Sequence, residues 1–295
     1  MVPSAARHRL MLVLTAVLFS TGGVGIKAAA LSGWQIACLR SAVATLALAI
    51  LLPESRRGWT WRMVPVSVAY AATLATFVLA NRLTTAANAV FLQATAPLYV
   101  LLLGPWLLGE RIRRSDAAYI VAVIGGLALF FVGRESAVET APDPPRGDLL
   151  ALVSGVLYAL MLVGLRWVGR DKRQPSVLPV VVLGNLLTAV ATLPMVLTSP
   201  AGGSWGWGNV GVILYLGIFQ VGASYFCLAR AIRHVRAFET TAILLLEPAL
   251  NPLWVWLVHG EKPGEWALAG GVLILSATLL NTWRQAADGG KPALT

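Results

Sequence analysis

Runs of about 20 apolar residues, separated by short clusters of charge, Pro, Gly or Trp, recur from one end of the chain to the other. They fall at residues 10–29, 34–52, 63–82, 87–108, 116–133, 148–168, 177–197, 208–229, 238–258 and 265–283, and each is long enough to cross a bilayer as a helix. The pattern predicts ten membrane-spanning helices and almost no separate aqueous domain. Spans 1 and 2 nearly meet at Leu31-Ser32-Gly33, and spans 3 and 4 at Asn81-Arg82-Leu83-Thr84-Thr85, so both pairs are predicted to be tight helical hairpins. The longest polar stretch, Arg134 to Gly147, holds Pro142, Pro144 and Pro145 with several acids; it cannot continue a helix, and it divides the chain into two halves of five spans. The N-terminus imitates a secretory signal, with Arg7, His8 and Arg9 before an apolar run and Ala28-Ala29-Ala30 after it. The 17 residues from Leu10 to Ile26 are long for a signal core, so the segment reads as the first span. The predicted organisation is a first five-helix half over 1–133, a linker over 134–147, a second half over 148–284 and a tail over 285–295.

Composition turns this pattern into an exclusion. Of the 295 residues 57% are hydrophobic and 12% charged, against about 25% charged in soluble domains, and mean hydropathy is +0.74. Too little polar surface is left to cover a water-facing globule, so the natural solvent is a lipid bilayer. The net charge of +10 does not indicate nucleic acid, because Lys and Arg are scattered in twos and threes and form no contiguous basic face. Their distribution follows the preference of cations for cytoplasmic loops. With ten spans, one side collects 17 of the 23 Lys and Arg and the other only Arg82, Arg134, Arg146 and Lys262, while Lys27 and Arg40 lie within spans. Both termini are therefore expected to be cytoplasmic. Dropping a span would invert every later loop and mix the two sets, so the clean separation supports ten. Trp34, Trp59, Trp61, Trp205, Trp207, Trp266 and Trp283 flank spans as an interfacial belt. Cys38 and Cys227 fall inside apolar runs and read as small core residues.

The halves look like copies. Span 4 carries Pro97 and then Gly109-Glu110-Arg111; span 9 carries Pro248 and then Gly260-Glu261-Lys262, with 13 residues from Pro to Glu in both. Arg82 and Ala86 match Arg233 and Ala237 at the same offset of 151, and Phe19, Gly25 and Lys27 match Tyr158, Gly164 and Arg166 at an offset of 139. A copy with an odd number of spans places its successor upside down, and two inverted copies can exchange conformations to open a central cavity first to one side and then to the other.

Ten spans as five plus five, a Pro within spans 4 and 9, and Gly-Glu with a following basic residue at their ends resemble the EamA-type drug/metabolite transporter superfamily, over essentially the whole chain. The resemblance implies an all-α polytopic membrane protein, ten transmembrane helices in two inverted five-helix repeats, with spans 1, 3, 4, 6, 8 and 9 around a central pathway and spans 5 and 10 outside. It further implies a secondary transporter of the bacterial inner membrane, similar to exporters of aromatic and other neutral amino acids; other metabolites or cationic drugs are alternative cargo. The basic turn Arg111 to Arg114 has a Pro-Gly-rich counterpart after Glu261, a departure that predicts unlike gating by the two hairpins.

Glu247 is the only carboxylate well inside an apolar run, and burying it ionised costs several kcal/mol unless it pairs, neutralises or meets water. It reads either as a substrate-ammonium or proton site on a kinked helix, or as a structural partner of Arg40 or of a backbone group freed by Pro248. Lys27, at the end of span 1, is expected to snorkel to the headgroups, and Arg40, deeper in span 2, to pair within the bundle. Pro97 and Pro248 each remove a backbone donor and leave free carbonyls at similar depth, which makes them candidate hinges or gates. Gln93 lies a turn from Pro97, Gln220 and Tyr225 occupy the middle of span 8, and Phe77, Asn81, Tyr99 and Tyr158 add polar or aromatic groups; with Glu247 these form the candidate substrate pathway. Any one of the polar groups, Asn185 included, could instead be interhelical glue worth around 0.6 kcal/mol. Ala122 with Gly126, and Ala267 with Gly271, read as helix-packing positions or as a weak dimer face, so a monomer or weak dimer is expected.

Enzymatic signatures are missing from the sequence. His8, His234 and His259 are far apart, no His or Cys pair has metal-ligand spacing, no Ser sits in a nucleophile elbow, and there is no Walker sequence. Neither cofactor nor metal is expected; the partners are a small-molecule substrate and the bilayer. A membrane enzyme with an interfacial site is disfavoured by short loops poor in catalytic residues, and an accessory subunit by an intramembrane Glu with no task.

Overall fold

The computed structural model describes residues 4–107, 116–132, 137–169, 178–198, 206–231, 234–235 and 237–287. Gly109, Glu110, Arg111–Arg114, Arg134, Arg170, Lys172, Arg173, Trp205, Arg233, Arg236 and Lys291 lie outside these residues, as does the side chain of Arg166. Within them the chain is nearly all helical: α1 (Ser4–Ser20), α2 (Gly22–Ala28), α3 (Gly33–Leu51), α4 (Met63–Leu83), α5 (Ala86–Gln93), α6 (Ala96–Leu107), α7 (Ala117–Val132), α8 (Pro144–Gly169), α9 (Leu178–Thr198), α10 (Trp207–Leu214), α11 (Ser224–Ala231), α12 (Ala237–Leu244), α13 (Leu246–His259) and α14 (Glu265–Ala287). A single bridge joins Val138 and Ala141. Among the described residues nine helical stretches are long and apolar enough to cross a membrane, and α7 is a shorter apolar helix in the place of predicted span 5.

Four spans are interrupted, each for a local reason. In span 4, Pro97 has no N–H to give the Gln93 carbonyl, so the ladder opens at Ala94 and Thr95 between α5 and α6. The Thr95 hydroxyl donates to the Leu92 carbonyl at 2.6 Å and occupies an acceptor near the gap. In span 9, Pro248 likewise leaves Leu245 as the joint between α12 and α13. Span 1 breaks at Thr21, whose hydroxyl donates to the Leu18 carbonyl at 2.7 Å. Span 8 passes through a π-helical turn at Tyr215–Ala223 between α10 and α11.

Both predicted hairpins are tight. Only Thr84 and Thr85 separate α4 from α5, and the Thr85 hydroxyl caps the new helix by accepting from the Asn88 N–H at 3.2 Å. Ser32 and Gln35 form a reciprocal capping box at the start of α3, at 2.9 and 3.2 Å. The linker expected over 134–147 is shorter than its prolines implied, because α8 begins at Pro144. Proline is tolerated in a first helical turn, where its N–H would have no partner, and Asp143 accepts from the backbone of Arg146 and Gly147 to start that turn. At the other end α14 runs on to Ala287, three residues into the predicted tail.

Helix α4 packs on α8 and α9, α3 on α9, α1 on α11 and α13, and α7 on α14. Small residues permit the closest crossings, which matter because lipid gives helices no hydrophobic drive to associate. A Cβ on Gly270 would lie 2.6 Å from the Gly126 carbonyl oxygen, and one on Gly271 would meet the Phe91 ring. The small positions of spans 5 and 10 are thus used within the chain. Leu46, Ile50, Trp106, Val121, Trp207 and Leu257 point outward, an apolar exterior that suits a hydrocarbon solvent.

Candidate functional site

At one end of the bundle, α2 delivers Lys27 beneath three connections. Helix α13 stops on Gly260, whose φ of 67° is left-handed; this reverses the chain and turns Glu261 back toward the helices. Glu261 Oε1 accepts from the Ala86 N–H at 2.7 Å, at the start of α5, where the helix dipole favours a carboxylate. Glu261 Oε2 stands 2.8 Å from Lys27 Nζ, with the two side chains 5% and 2% exposed. Lys27 Nζ also donates to the Thr84 carbonyl at 3.0 Å and to the Thr140 carbonyl at 2.6 Å. The ammonium is thus held inside the protein by one carboxylate and two carbonyls. Lys27 therefore does not snorkel to the headgroups, contrary to the expectation from its place near a helix end. Nearby, a cavity of about 460 Å³ is lined by Thr85, Glu139, Thr140, His259, Glu261 and Lys262.

The reversal at Gly260 carries a prediction. Gly260→Ala forces an L-residue into the left-handed region at a cost of about 1–2 kcal/mol. Gly211→Ala, on α10 with nothing within 4 Å of the added carbon, should be neutral or slightly stabilising. Thermal unfolding in detergent should show a lowered midpoint for the first variant only.

In the middle of the bundle five helices, α3, α4, α8, α11 and α13, carry three tyrosine hydroxyls and two opposite charges. The Tyr70 hydroxyl on α4 accepts from Asn185 Nδ2 on α9 at 3.2 Å, and Tyr225 lies on α11. The Tyr70 and Tyr225 rings lie 5.9 Å apart, and Phe19 on α1 meets Tyr225 edge-on at 5.2 Å. Arg40 on α3 is 1% exposed, and its Nη2 makes one long contact, 3.5 Å, to the Leu74 carbonyl. Tyr158 lies on α8 and Glu247 on α13. Glu247 is the second residue of α13, just before Pro248, and the free N–H groups and dipole of that first turn favour an anion. Among the described residues no cation lies within 4 Å of Glu247, so its pairing with Arg40, one of the two roles weighed from sequence, is not formed.

The other sequence-selected residues are distributed around this centre. Gln93 donates to the Ser154 hydroxyl at 2.7 Å, which passes a bond to the Thr73 carbonyl at 3.2 Å, so Gln93 ties spans 3, 4 and 6 together. Tyr99 packs on α8, where a Cβ on Gly155 would come within 3.4 Å of its ring. Phe77 belongs to an apolar cluster with Ile26, Ile36 and Leu216. Asn81 is fully buried and donates to the Phe77 carbonyl at 3.0 Å. Gln220 lies against Gly22 at the break of span 1, and Asn251 against Gly23 one residue on. The oxygens of Asn81, Asn185, Gln220 and Asn251 and the Nε of Arg40 have no hydrogen-bond partner. A buried polar atom left so costs free energy, so this region gains from an occupant that can bond to it.

Sequence reasoning missed Tyr70 and the Lys27–Glu261 pair. Tyr70 stands three and seven residues before Thr73 and Phe77, on the same helical face, a signal that was available. Glu261 had been read only as a repeat marker; its loop and the end of span 1 fall on the same side in a ten-span topology. Among the described residues no group of three side chains could hold a metal ion.

Comparison with known proteins agrees with this architecture. The model of the EamA-like transporter family matches residues 8–132 and 145–283. The chain is 28% identical over 213 residues to an Archaeoglobus fulgidus protein named an uncharacterized transporter, covering 72% of this chain and 73% of that one. It is 26% identical over 280 residues to the pseudopaline exporter CntI of Pseudomonas aeruginosa, covering 92% and 94%. A solved crystal structure superimposes with a TM-score of 0.63 at 19% identity, over 96% of this chain and 99% of the other, a likeness of fold.

Proposed function

The chain belongs to the EamA-like transporter family, and from that premise we propose that it exports a small neutral amino acid, aromatic ones included, across a bacterial inner membrane by alternating access. The moving parts are two inverted five-helix repeats, residues 1–133 and 148–284, with the linker between them, 134–147, on the periplasmic side and both termini in the cytoplasm. Substrate passes Phe77, Asn81, Gln93, Tyr99, Tyr158, Gln220, Tyr225 and Glu247, with Tyr158, Tyr225 and Glu247 at the centre. Pro97 and Pro248 act as hinges: the breaks at Ala94 and Leu245 keep the offset of 151 that relates the two prolines. The Lys27–Glu261 pair ties span 1 to the connection between spans 9 and 10 and closes the pathway at the outer end. Likeness to an exporter over nearly the whole chain supports export of a small metabolite.

The observation that carries this reading is Glu247, a mid-span carboxylate at a helix break with no cation within 4 Å among the described residues. Intramembrane acids are costly and default to function. The test is counterflow of labelled phenylalanine, tryptophan, threonine and methionine into liposomes containing only the purified chain. Saturable flux is expected, with Glu247→Gln reducing it by about tenfold or more, the worth of a charge-assisted hydrogen bond. Flux of other metabolites with none of these four would overturn the cargo; no flux of any panel member from folded protein would overturn transport by this chain alone.

A further inference from the structure

We propose that the cavity beside the Lys27–Glu261 pair is an outer seat for a zwitterion, in which Glu139 receives the substrate's ammonium and Lys262 its carboxylate as the cargo leaves. The inference rests on the transport reading above and adds to it a second binding place on the route, at the outer end.

Three connections wall this cavity. Thr85 comes from the turn between α4 and α5, Glu139 and Thr140 from the segment before α8, and His259, Glu261 and Lys262 from the end of α13 and the turn that follows it. The backbone pins the walls: Val138 and Ala141 exchange hydrogen bonds at 3.1 and 2.9 Å around Glu139 and Thr140, the Asp143 N–H donates to the Leu83 carbonyl at 3.0 Å, and the left-handed Gly260 sets the direction of the third wall. At about 460 Å³ the space falls within the range of small-molecule sites, about 300–1,000 Å³.

A carboxylate or an ammonium alone at a membrane surface is solvated and ordinary. Glu139 and Lys262 differ in lining one concavity from two separate connections, and among the described residues neither has an ion-pair partner within 4 Å. Opposite charges held apart across one space fit a molecule that carries both signs, and a neutral amino acid does so without changing the net charge of the cavity. Val138 lines the same space and gives the apolar body of such a molecule a surface to lie against.

The cavity is also the outer face of the closure, because three of its wall residues bond α2. Glu261 Oε2 stands 2.8 Å from Lys27 Nζ, the Thr140 carbonyl accepts from Lys27 at 2.6 Å, and His259 Nε2 lies 3.1 Å from the Val24 carbonyl. A substrate ammonium is the same chemical group as the end of Lys27, so a molecule in this seat competes with Lys27 for Glu261. External substrate therefore favours the state open at this end, and its occupancy of the seat drives exchange.

The test is sided exchange of phenylalanine, corrected with vesicles that lack the chain. Efflux of labelled phenylalanine from preloaded right-side-out vesicles, stimulated by unlabelled phenylalanine outside, gives the half-saturating concentration at the outer face; uptake into inside-out vesicles gives that at the cytoplasmic face. Glu139→Gln and Lys262→Gln should each raise the outer constant about two- to fivefold, the worth of an exposed charge pair, and leave the cytoplasmic constant within about twofold of wild type. Both side chains are exposed, so the variants should fold, which the unfolding midpoint checks. Analogues competing from outside assign the poles: Lys262→Gln should narrow the advantage of phenylalanine over phenethylamine, and Glu139→Gln its advantage over 3-phenylpropionate. An unchanged outer constant, equal shifts at both faces, or unchanged advantages overturn the outer seat while leaving amino acid export intact. Absence of phenylalanine exchange in the wild type, with flux of another cargo, overturns the cargo reading and this inference together.

Discussion

Replacing Lys27 by Met should destabilise the protein by about 3–5 kcal/mol, the cost of leaving one member of a buried ion pair without its partner. Glu261 would keep the Ala86 N–H but lose the ammonium 2.8 Å away, in surroundings that leave its side chain 5% exposed. The Thr84 and Thr140 carbonyls would lose a donor in the same step. Three connections meet at this one nitrogen: the turn between α4 and α5, the segment before α8, and the turn between α13 and α14. The variant should therefore loosen them together. The double variant Lys27→Met/Glu261→Leu removes both charges and should recover much of the loss, since apolar replacement of a buried pair is often neutral or better. Thermal unfolding in detergent reads both numbers. A penalty for the single variant below about 1 kcal/mol would mark the contact as a surface-like pair and sink the idea that it holds this end shut. The double variant also separates folding from gating. It should fold, yet populate the state closed at this end less, because a conformational equilibrium moves by the difference in interaction free energy between its two states.

The number and placement of the spans were legible because the bilayer fixes them: a run of apolar residues must be of one length, and each interruption must satisfy its own backbone. Even the joints in spans 4 and 9 were readable, since a proline opens the ladder just before itself in any context. The linker misled because the same residue type has two meanings. Pro144 and Pro145 would break a helix interior, but in a first turn behind Asp143 they help to begin one. The site was legible only in part. Glu247, Tyr158 and Tyr225 stand out as polar groups in apolar runs, but nothing in their spacing says how they stand to one another. That depends on the crossing of α4 with α9 and on the joint at Leu245. Lys27 shows the limit most clearly. Its position near a helix end fits snorkelling and pairing equally well, and the choice is made by a glutamate 234 residues away, placed by the left-handed turn at Gly260.

Gly184→Ala should cost about 1–3 kcal/mol from overpacking, partly offset by the better helix propensity of Ala, and should also lower transport. An added Cβ would lie 2.7 Å from Cγ and 2.9 Å from Cβ of Tyr70, against the rooted end of the side chain. Tyr70 is hindered from swinging away, because Asn185 holds its hydroxyl and the Tyr225 ring lies 5.9 Å from its own. Nor can the helices part easily: the Ser67 hydroxyl donates to the Val180 carbonyl at 3.1 Å on one side of the crossing, and the Thr188 hydroxyl to the Ala71 carbonyl at 3.5 Å on the other. The strain must then appear as a displaced Tyr70, and through it as a displaced Tyr225, whose ring lies 5.9 Å away. If about 1.4 kcal/mol of that strain falls on the substrate-bound state, counterflow drops roughly tenfold. Gly125→Ala is the control, with its nearest neighbour, a Leu273 methyl, at 3.9 Å; it should change neither stability nor flux appreciably. Tyr70→Ala in the Gly184→Ala background removes the clash with the ring, leaving only the contact to Cβ at 2.9 Å, and should restore part of the unfolding midpoint without restoring flux. Wild-type flux from Gly184→Ala would show that the position of Tyr70 does not govern the site.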